Sequence, residues 1–304
     1  MIKILLGGSP CTHWSIAQKK DRETQPNSGL GWELFLNYKI ALDKYKPDYF
    51  LYENNKSASQ AIKDEICDQL GSPLQYINSA LVSAQNRERF YVHNWECPQP
   101  EDRKIYIDDV LTADDFYPYN GGELIRMKAD LSEHYDGCWQ IGCTGKSNGQ
   151  AVRVYDIKGK SVTLKSQAGG GGGKTGLYLF NGKVYSLTAR GAEKLQTVPA
   201  GYTDCVPKEV AISLIGNGWT VEVIKHQLSY IPNILNKEIE VLSMYDGMSC
   251  GQIALEEMGC NVVRYYSTEI DPYAIKTTQH NFPNTIQLGD AFQVREKGWS
   301  LCTY

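Results

Sequence analysis

No apolar run in this 304-residue chain reaches the roughly 18 residues needed to cross a bilayer. Its N-terminus also lacks the charged-then-apolar pattern of a secretory signal. A cytoplasmic protein with no membrane contact is therefore expected. Nine cysteines are present, an odd number, but no C-x-x-C pair occurs. That absence argues against a zinc ribbon or a disulfide framework and for reduced thiols. Cys138 and Cys143, the one close pair, have no histidine pair beside them and read as structural, so no metal is expected. An excess of positive charge is missing too. With 31 basic against 35 acidic residues the net charge is −4, so any nucleic-acid contact has to be local. Disorder is not indicated, because 42% of the residues are hydrophobic and only 22% charged. A chain of this length buries a substantial core and has room for one large domain with a smaller insert.

What is present starts at the seventh residue. The apolar run Ile4-Leu5-Leu6 reads as a short buried strand, ended by the turn Gly7-Gly8-Ser9-Pro10-Cys11-Thr12-His13-Trp14-Ser15. Cys11 then stands just past the C-terminal end of a strand, where open α/β sheets place their ligands. It is the candidate nucleophile. A second apolar run, in KPDYFLYENN from residue 46, ends in the carboxylate of Glu53. In Gln85-Asn86-Arg87-Glu88-Arg89-Phe90-Tyr91 the two arginines are two apart, and the spacing predicts that they share one face of a strand.

A third constellation lies near the other end. Residues 239 to 251, IEVLSMYDGMSCG, form a strand and a glycine turn, followed by a helical pattern from Gln252 to Met258. About twenty residues on, YYSTEID gives a strand ending in Glu269, and QLGD ends a third strand at Asp290. A glycine turn with an acid at that distance is the dinucleotide-fold arrangement for a ribose-bearing cofactor. Two further patterns are set aside. AGGGGGKT at 168 to 175 fits a relaxed phosphate loop, but the chain continues into a hairpin turning at Asn181-Gly182, not into a helix. Gly247-Met248-Ser249-Cys250-Gly251 fits a hydrolase elbow, but only His280 follows it, which leaves little chain for a triad.

The segments SPCTHWS, LYENN and QNRERFY, with LTARGAEKLQTVPAGY and LIGNGWTVEVIKH later on, resemble the cytosine-5 DNA methyltransferase family over nearly the whole chain outside one variable stretch. The closing blocks, with Trp219, are nearer to phage and vertebrate de novo enzymes. The resemblance implies an α/β fold: a Rossmann-like S-adenosylmethionine-dependent methyltransferase sheet with a small, mainly β target-recognition domain. In the family the cofactor segments precede the Pro-Cys turn. Here they follow it, so the order reads as a circular permutation opened at the crossover between the two halves. The expected division is a catalytic half at 1–95, a recognition domain at 96–183 and a return to the methyltransferase domain at 184–230. A linker at 231–238 and a cofactor half at 239–304 complete it.

On the same resemblance Cys11 adds to carbon 6 of a flipped-out cytosine, Glu53 holds the exocyclic amine and ring nitrogen 3, and Arg87 and Arg89 hold the base and its phosphate. S-adenosyl-L-methionine is assigned to Tyr245, Gly247, Met248 and Ser249, to Glu269 and Ile270, and to Asp290 and Ala291. Pro10, Asn217 and Trp219 complete the cofactor set. Tyr245 stands where phenylalanine is usual, and Ser249-Cys250 replaces a glycine pair. The partner is double-stranded DNA and the chain acts as a monomer in a bacterial or phage-infected cell. Between Ile141 and Gly176 there are six basic residues against one acid, a stretch suited to phosphates. Lys146, Arg153, Lys158, Lys160 and Lys174 are the expected contacts there, with Gln85, Ser15, Lys19 and Arg22 elsewhere. The segment from Trp14 to Gly31 reads as a mobile closing loop with Gly29 and Gly31 as hinges. Two other readings stay open: a catalytically silent DNA-binding protein on this fold, and a transferase acting on RNA or moving a modified methyl group.

Overall fold

The computed structural model describes residues 1–16, 22–146, 148–296, 298–299 and 301. Lys19 lies outside them. Along the chain the described strands are β1 (Ile2–Gly7), β2 (Tyr49–Asn55), β3 (Leu74–Asn78), β4 (Glu88–His93), β5 (Phe116–Pro118), β6 (Ile125–Arg126), β7 (Gln140–Cys143), β8 (Arg153–Asp156), β9 (Leu177–Phe180), β10 (Lys183–Leu187), β11 (Glu238–Met244), β12 (Asn261–Thr268) and β13 (Ile286–Gln287). The helices are α1 (Gly29–Tyr45), α2 (Gln60–Leu70), α3 (Ile107–Val110), α4 (Ala189–Leu195), α5 (Lys208–Asn217), α6 (Val221–Ser229), α7 (Cys250–Glu257) and α8 (Pro272–Asn281). Two compact units result. The first joins Met1–Ile77, Glu88–Pro98 and Lys225–Tyr304; the second joins Asn78–Arg87 and Gln99–Ile224.

The first unit carries a seven-stranded sheet in the order β13-β12-β11-β1-β2-β4-β3. β1 runs parallel to both its neighbours, with Gly7 beside Met244 on one side and Tyr52 on the other. β4 runs antiparallel to β2. From β11 the chain steps outward to β12 and β13, and from β1 it steps outward the other way to β2. The reversal between β11 and β1 is the switch point at which such sheets leave a crevice beyond the strand ends. Two turns that are more than 230 residues apart in the chain therefore open from adjacent strands. One face is sealed by Trp32, Phe35, Tyr38 and Ala41 of α1 and by Ile62, Ile66 and Leu70 of α2. The four-residue spacing in α2 makes one apolar stripe. Its ends are set by Ser59, whose side chain accepts from Ile62 N, and by Gly71 in the left-handed region.

The second unit holds a six-stranded sheet in the order β5-β10-β9-β8-β7-β6, around Ile141, Val154 and Leu177. Its β9–β10 hairpin turns at Asn181-Gly182, and no helix follows the glycine run. The short apolar runs at 151–155 and 161–164 have the residue pattern of two strands. The first begins only at Arg153, because 150–152 close a 3-10 turn. The second is absent, and Ser161 instead forms an isolated bridge with Gln85. The unit also extends past the expected limit at 183 to Ile224. Gln196 contributes to this: its amide oxygen accepts from Gln85 Nε2 at 2.5 Å and from Thr220 Oγ1 at 2.9 Å, and its nitrogen donates to Gly218 O at 2.7 Å, tying α4 and the chain after α5 to the segment 78–87.

Candidate active site

The nucleophile turn follows directly from β1. Gly8 is required there by close approach: an added Cβ would lie 2.8 Å from Glu53 O and 2.9 Å from Glu53 Oε2. Pro10 is exposed and caps the 3-10 turn Cys11–His13, whose first carbonyl accepts from Trp14 N at 3.1 Å and Ser15 N at 3.0 Å. Cys11 is half-buried at the head of this turn. Behind it a buried polar network ties the turn to β2. Ser9 Oγ and Tyr52 Oη are 2.6 Å apart, and Asn54 Nδ2 donates to Ser9 O at 2.9 Å and Tyr52 Oη at 3.1 Å. Burial pushes the Tyr52 phenol above its ordinary range, so it stays neutral and keeps its proton to donate. A satisfied network in a low-dielectric interior is stiff. These three residues were missed in the sequence. Their signal was the pair Tyr52 and Asn54, two apart on the opposite face of β2 from Glu53.

Glu53 and Arg89 come together on the other face. β2 and β4 pair with Asn55 opposite Arg89, so Arg89 shares a face with Glu53 and reaches it diagonally. Arg89 Nε is 3.2 Å from Glu53 Oε1, and each side chain is only 13% exposed. Arg87 does not join them, which corrects the expectation that the two arginines act side by side. The strand starts at Glu88, so alternation does not extend to residue 87. Arg87 is 4% exposed, and its guanidinium donates to Leu164 O at 3.0 Å, Gly216 O at 3.1 Å and Gly218 O at 2.9 Å. It braces the second unit.

The turn after β11 places Tyr245, Gly247 and Ser249 all at positive φ. Nothing lies within 4 Å of a Cβ built on Gly247, so the backbone there faces open space. Its N–H donates to Glu269 Oε2 at 2.8 Å, while Glu269 Oε1 accepts from Ile270 N at 2.7 Å and Asp271 N at 2.9 Å. The Ile270 side chain is 71% exposed beside that carboxylate. Asp290 is exposed, with one oxygen accepting from Phe292 N at 2.9 Å, and Met248 and Ala291 are buried. Tyr245 accepts from Asn37 Nδ2 at 3.0 Å and donates to Leu34 O at 2.8 Å, docking its hydroxyl on α1. An open backbone cradle, a fixed carboxylate and an exposed aliphatic side chain fit a nucleoside cofactor, with ribose hydroxyls for the acid and a base edge for Ile270.

Asp246 underlies this turn and was also missed. It is half-buried, and accepts from Ser243 Oγ at 2.5 Å, from Tyr265 Oη at 2.8 Å and from Ser249 Oγ. Burial raises its carboxyl to about 6, against the lowering effect of these hydroxyls. The signal in the sequence was a serine three residues to either side. Ser249 is fully buried, with its hydroxyl also 2.9 Å from Thr278 Oγ1, so it is not the exposed nucleophile of a hydrolase elbow.

Among the residues expected at DNA, Lys146 is exposed. Arg153, Lys158 and Lys174 are half-buried and donate to Asn148 O at 2.9 Å, Ser132 O at 2.9 Å and Ser213 Oγ at 2.6 Å. Arg22 Nε donates to Trp14 O at 3.2 Å, and Ser15 is half-buried in the nucleophile turn. Two expectations are corrected. Lys160 is 1% exposed, and its ammonium donates to Ile105 O at 2.6 Å, Ala80 O at 2.8 Å and Ser83 O at 3.3 Å. Gln85 is fully buried, accepting from Leu164 N at 2.9 Å and donating to Gln196 Oε1 at 2.5 Å. Neither is presented to a phosphate. Asn217 is exposed and Trp219 half-buried, both in the second unit.

A sheet reversing between β11 and β1, with a ribose-type acid after one turn and a cysteine in the other, defines a Rossmann-like methyltransferase whose donor is S-adenosyl-L-methionine. Residues 1–99 match the family model described as C-5 cytosine-specific DNA methylase. The chain is 25% identical over 255 residues to the type II methyltransferase M.HhaI of Haemophilus parahaemolyticus, across 77% of this chain and 76% of that protein. It is 24% identical over 241 residues to the orphan methyltransferase M.Rho11sI of Bacillus phage rho11s, across 58% of this chain and 47% of the relative. The S. pombe Dnmt2 methyltransferase structure aligns with a TM-score of 0.47 at 15% identity, covering 77% of this chain and 78% of that one. The chain is thus similar to C-5 cytosine-specific DNA methylases over its first third and to a type II methyltransferase over about three quarters of its length, and it is an enzyme.

Proposed function

We propose that this enzyme methylates carbon 5 of a cytosine rotated out of double-stranded DNA, with Cys11 as the nucleophile. The observation that carries the reading is the half-buried Glu53–Arg89 pair, with Glu53 lying against Gly8, three residues before Cys11. The Gly247 cradle, Glu269, Ile270 and Asp290 would hold S-adenosyl-L-methionine, which would supply an electrophilic methyl group for carbon 5 when bound. The residues of the chain do the rest. The Cys11 thiolate adds to carbon 6, and Glu53, oriented by Arg89, shares a proton with ring nitrogen 3 so that electron density moves to carbon 5. Once carbon 5 carries the methyl group, its proton passes to a base, the carbon–sulfur bond breaks and Cys11 is released. Unstacking the base costs a few kcal/mol, offset by the pocket contacts.

The second unit is the recognition element in this reading, with Lys146, Arg153, Lys158 and Lys174 as its phosphate contacts. The chain order is read as a circular permutation: β1 lies directly beside β11 in parallel register, so opening a crossover that returns from β13 to β1 would leave the sheet unchanged. The enzyme works as one copy in the cytoplasm, with no metal step. Among the described residues no helix is long and apolar enough to cross a membrane. The test is bisulfite sequencing of DNA from cells expressing the protein or its Cys11→Ala variant. Site-specific protection with the former and none with the latter is expected. Methylation that persists without Cys11 would sink the mechanism.

A further inference from the structure

The nucleophile turn is held from behind by Ser9, Tyr52 and Asn54, and from ahead by one residue to which neither sequence nor mechanism gives a role. Glu23 returns to the turn from the far side of the loop. Its N–H donates to His13 O at 2.9 Å. Its carboxylate lies 3.4 Å from His13 Nδ1 and accepts from Trp14 Nε1 at 3.3 Å. Both oxygens also face Gly31 N, at 3.0 and 3.3 Å, in the first turn of α1. The α1 N-cap, Ser28, makes no side-chain cap of its own, so Glu23 supplies the acceptor and the negative charge that a helix N-terminus favours. The flanking residues are anchored as well. Arg22 bonds Trp14 O and Ser57 O, and Ser59 Oγ donates to Thr24 O at 2.5 Å.

The glycines of this segment fit the same seat. A Cβ on Gly29 would fall 2.3 Å from the Glu23 carboxyl carbon, and one on Gly31 would fall 2.5 Å from Trp14 Nε1 and 2.7 Å from Glu23 Oε2. Gly29 and Gly31 leave room for a carboxylate; they were read in the sequence as hinges. Trp14 itself is fully buried, so its indole N–H has no water to turn to if Glu23 is lost.

We infer that Glu23 is the positioning residue of the nucleophile turn: it clamps His13 and Trp14 to the start of α1, and so fixes the 3-10 turn whose first residue is Cys11. This rests on the assignment of Cys11 as nucleophile. Misplacing a reacting atom by about 1 Å costs on the order of 100-fold in rate, whereas the cofactor cradle is built on other strands. Glu23→Ala is therefore expected to lower kcat by about 10- to 100-fold, with KM for S-adenosylmethionine and its calorimetric affinity unchanged. The rate of covalent trapping on a duplex carrying 5-fluorocytosine should fall in parallel. There the Cys11–carbon 6 bond forms but carbon 5 has no proton to lose, so the adduct accumulates. Glu23→Gln keeps one acceptor oxygen and should recover part of the trapping rate. A wild-type trapping rate in Glu23→Ala overturns the inference, as does loss of cofactor binding in both variants, which would make Glu23 a residue of the fold at large. If wild type itself forms no adduct, the assignment of Cys11 fails and not the clamp.

Discussion

The turns after β1 and after β11 occupy equivalent places, each at the carboxyl end of one of two adjacent parallel strands, but they are anchored by different chemistry. On the side of its own sheet the nucleophile turn hangs on neutral groups, Ser9, Tyr52 and Asn54, whose hydrogen bonds do not change with proton activity near neutrality, while Glu23 holds it from the other side. The cofactor turn hangs on a carboxylate, Asp246, raised to about 6. The sheet-side anchor of the same topological position can thus be neutral on one strand and ionisable on the next.

The largest effect should come from the chemistry that the nucleophile turn serves. Glu53→Gln keeps the shape but removes the shared proton and the charge that faces Arg89, and kcat should drop about 1,000-fold, read in single-turnover methylation assays. A Glu53→Gln enzyme within a few-fold of wild type would remove Glu53 from the mechanism. Next is Asp246→Asn, compared with wild type by urea unfolding at several pH values. The native carboxyl takes up its proton more readily than the unfolded one, whose value is near 3.9. Wild type therefore gains stability relative to the variant as pH falls through 6 towards 4, by up to about 3 kcal/mol. A gap that stays constant with pH would mean Asp246 does not titrate there.

Tyr52→Phe should cost about 2 kcal/mol at every pH from 5 to 8, since two buried neutral hydrogen bonds are lost. A pH-dependent loss would break the contrast between the two turns. The smallest change is expected from Lys158→Ala, whose partial exposure suits one phosphate contact. It should lower the slope of log affinity against log salt by about 1, measured by fluorescence anisotropy with a DNA duplex.

Much of the first unit was legible because its signals are local. Apolar runs ending in glycine turns marked β1 and β11, and the acid about twenty residues after the second turn marked β12. Glu53 and Arg89 could be named because a strand carries them, and strand periodicity is short-range. Legibility failed where a distant partner decided the outcome. Arg87 looked like the twin of Arg89, but carbonyls at 164, 216 and 218 hold its guanidinium. Lys160 was counted as surface charge, though three carbonyls take its ammonium inside the fold. Gln196 carried no sign that it would join 184–224 to the second unit.

The sequence by itself determined the chemistry on offer: a cysteine after a proline at a strand end, a carboxylate and an arginine at strand spacing, and a glycine turn with its acid. These follow from covalent spacing and backbone preference, which act over a few residues. Tertiary structure alone decided which of the charged groups face solvent and which are spent on buried carbonyls. It also decided that turns from opposite ends of the chain share one edge of a sheet, and that Glu23 comes back to hold the turn bearing Cys11. Burial and hydrogen-bond partnership are set by residues far away in the chain, and no local pattern records them.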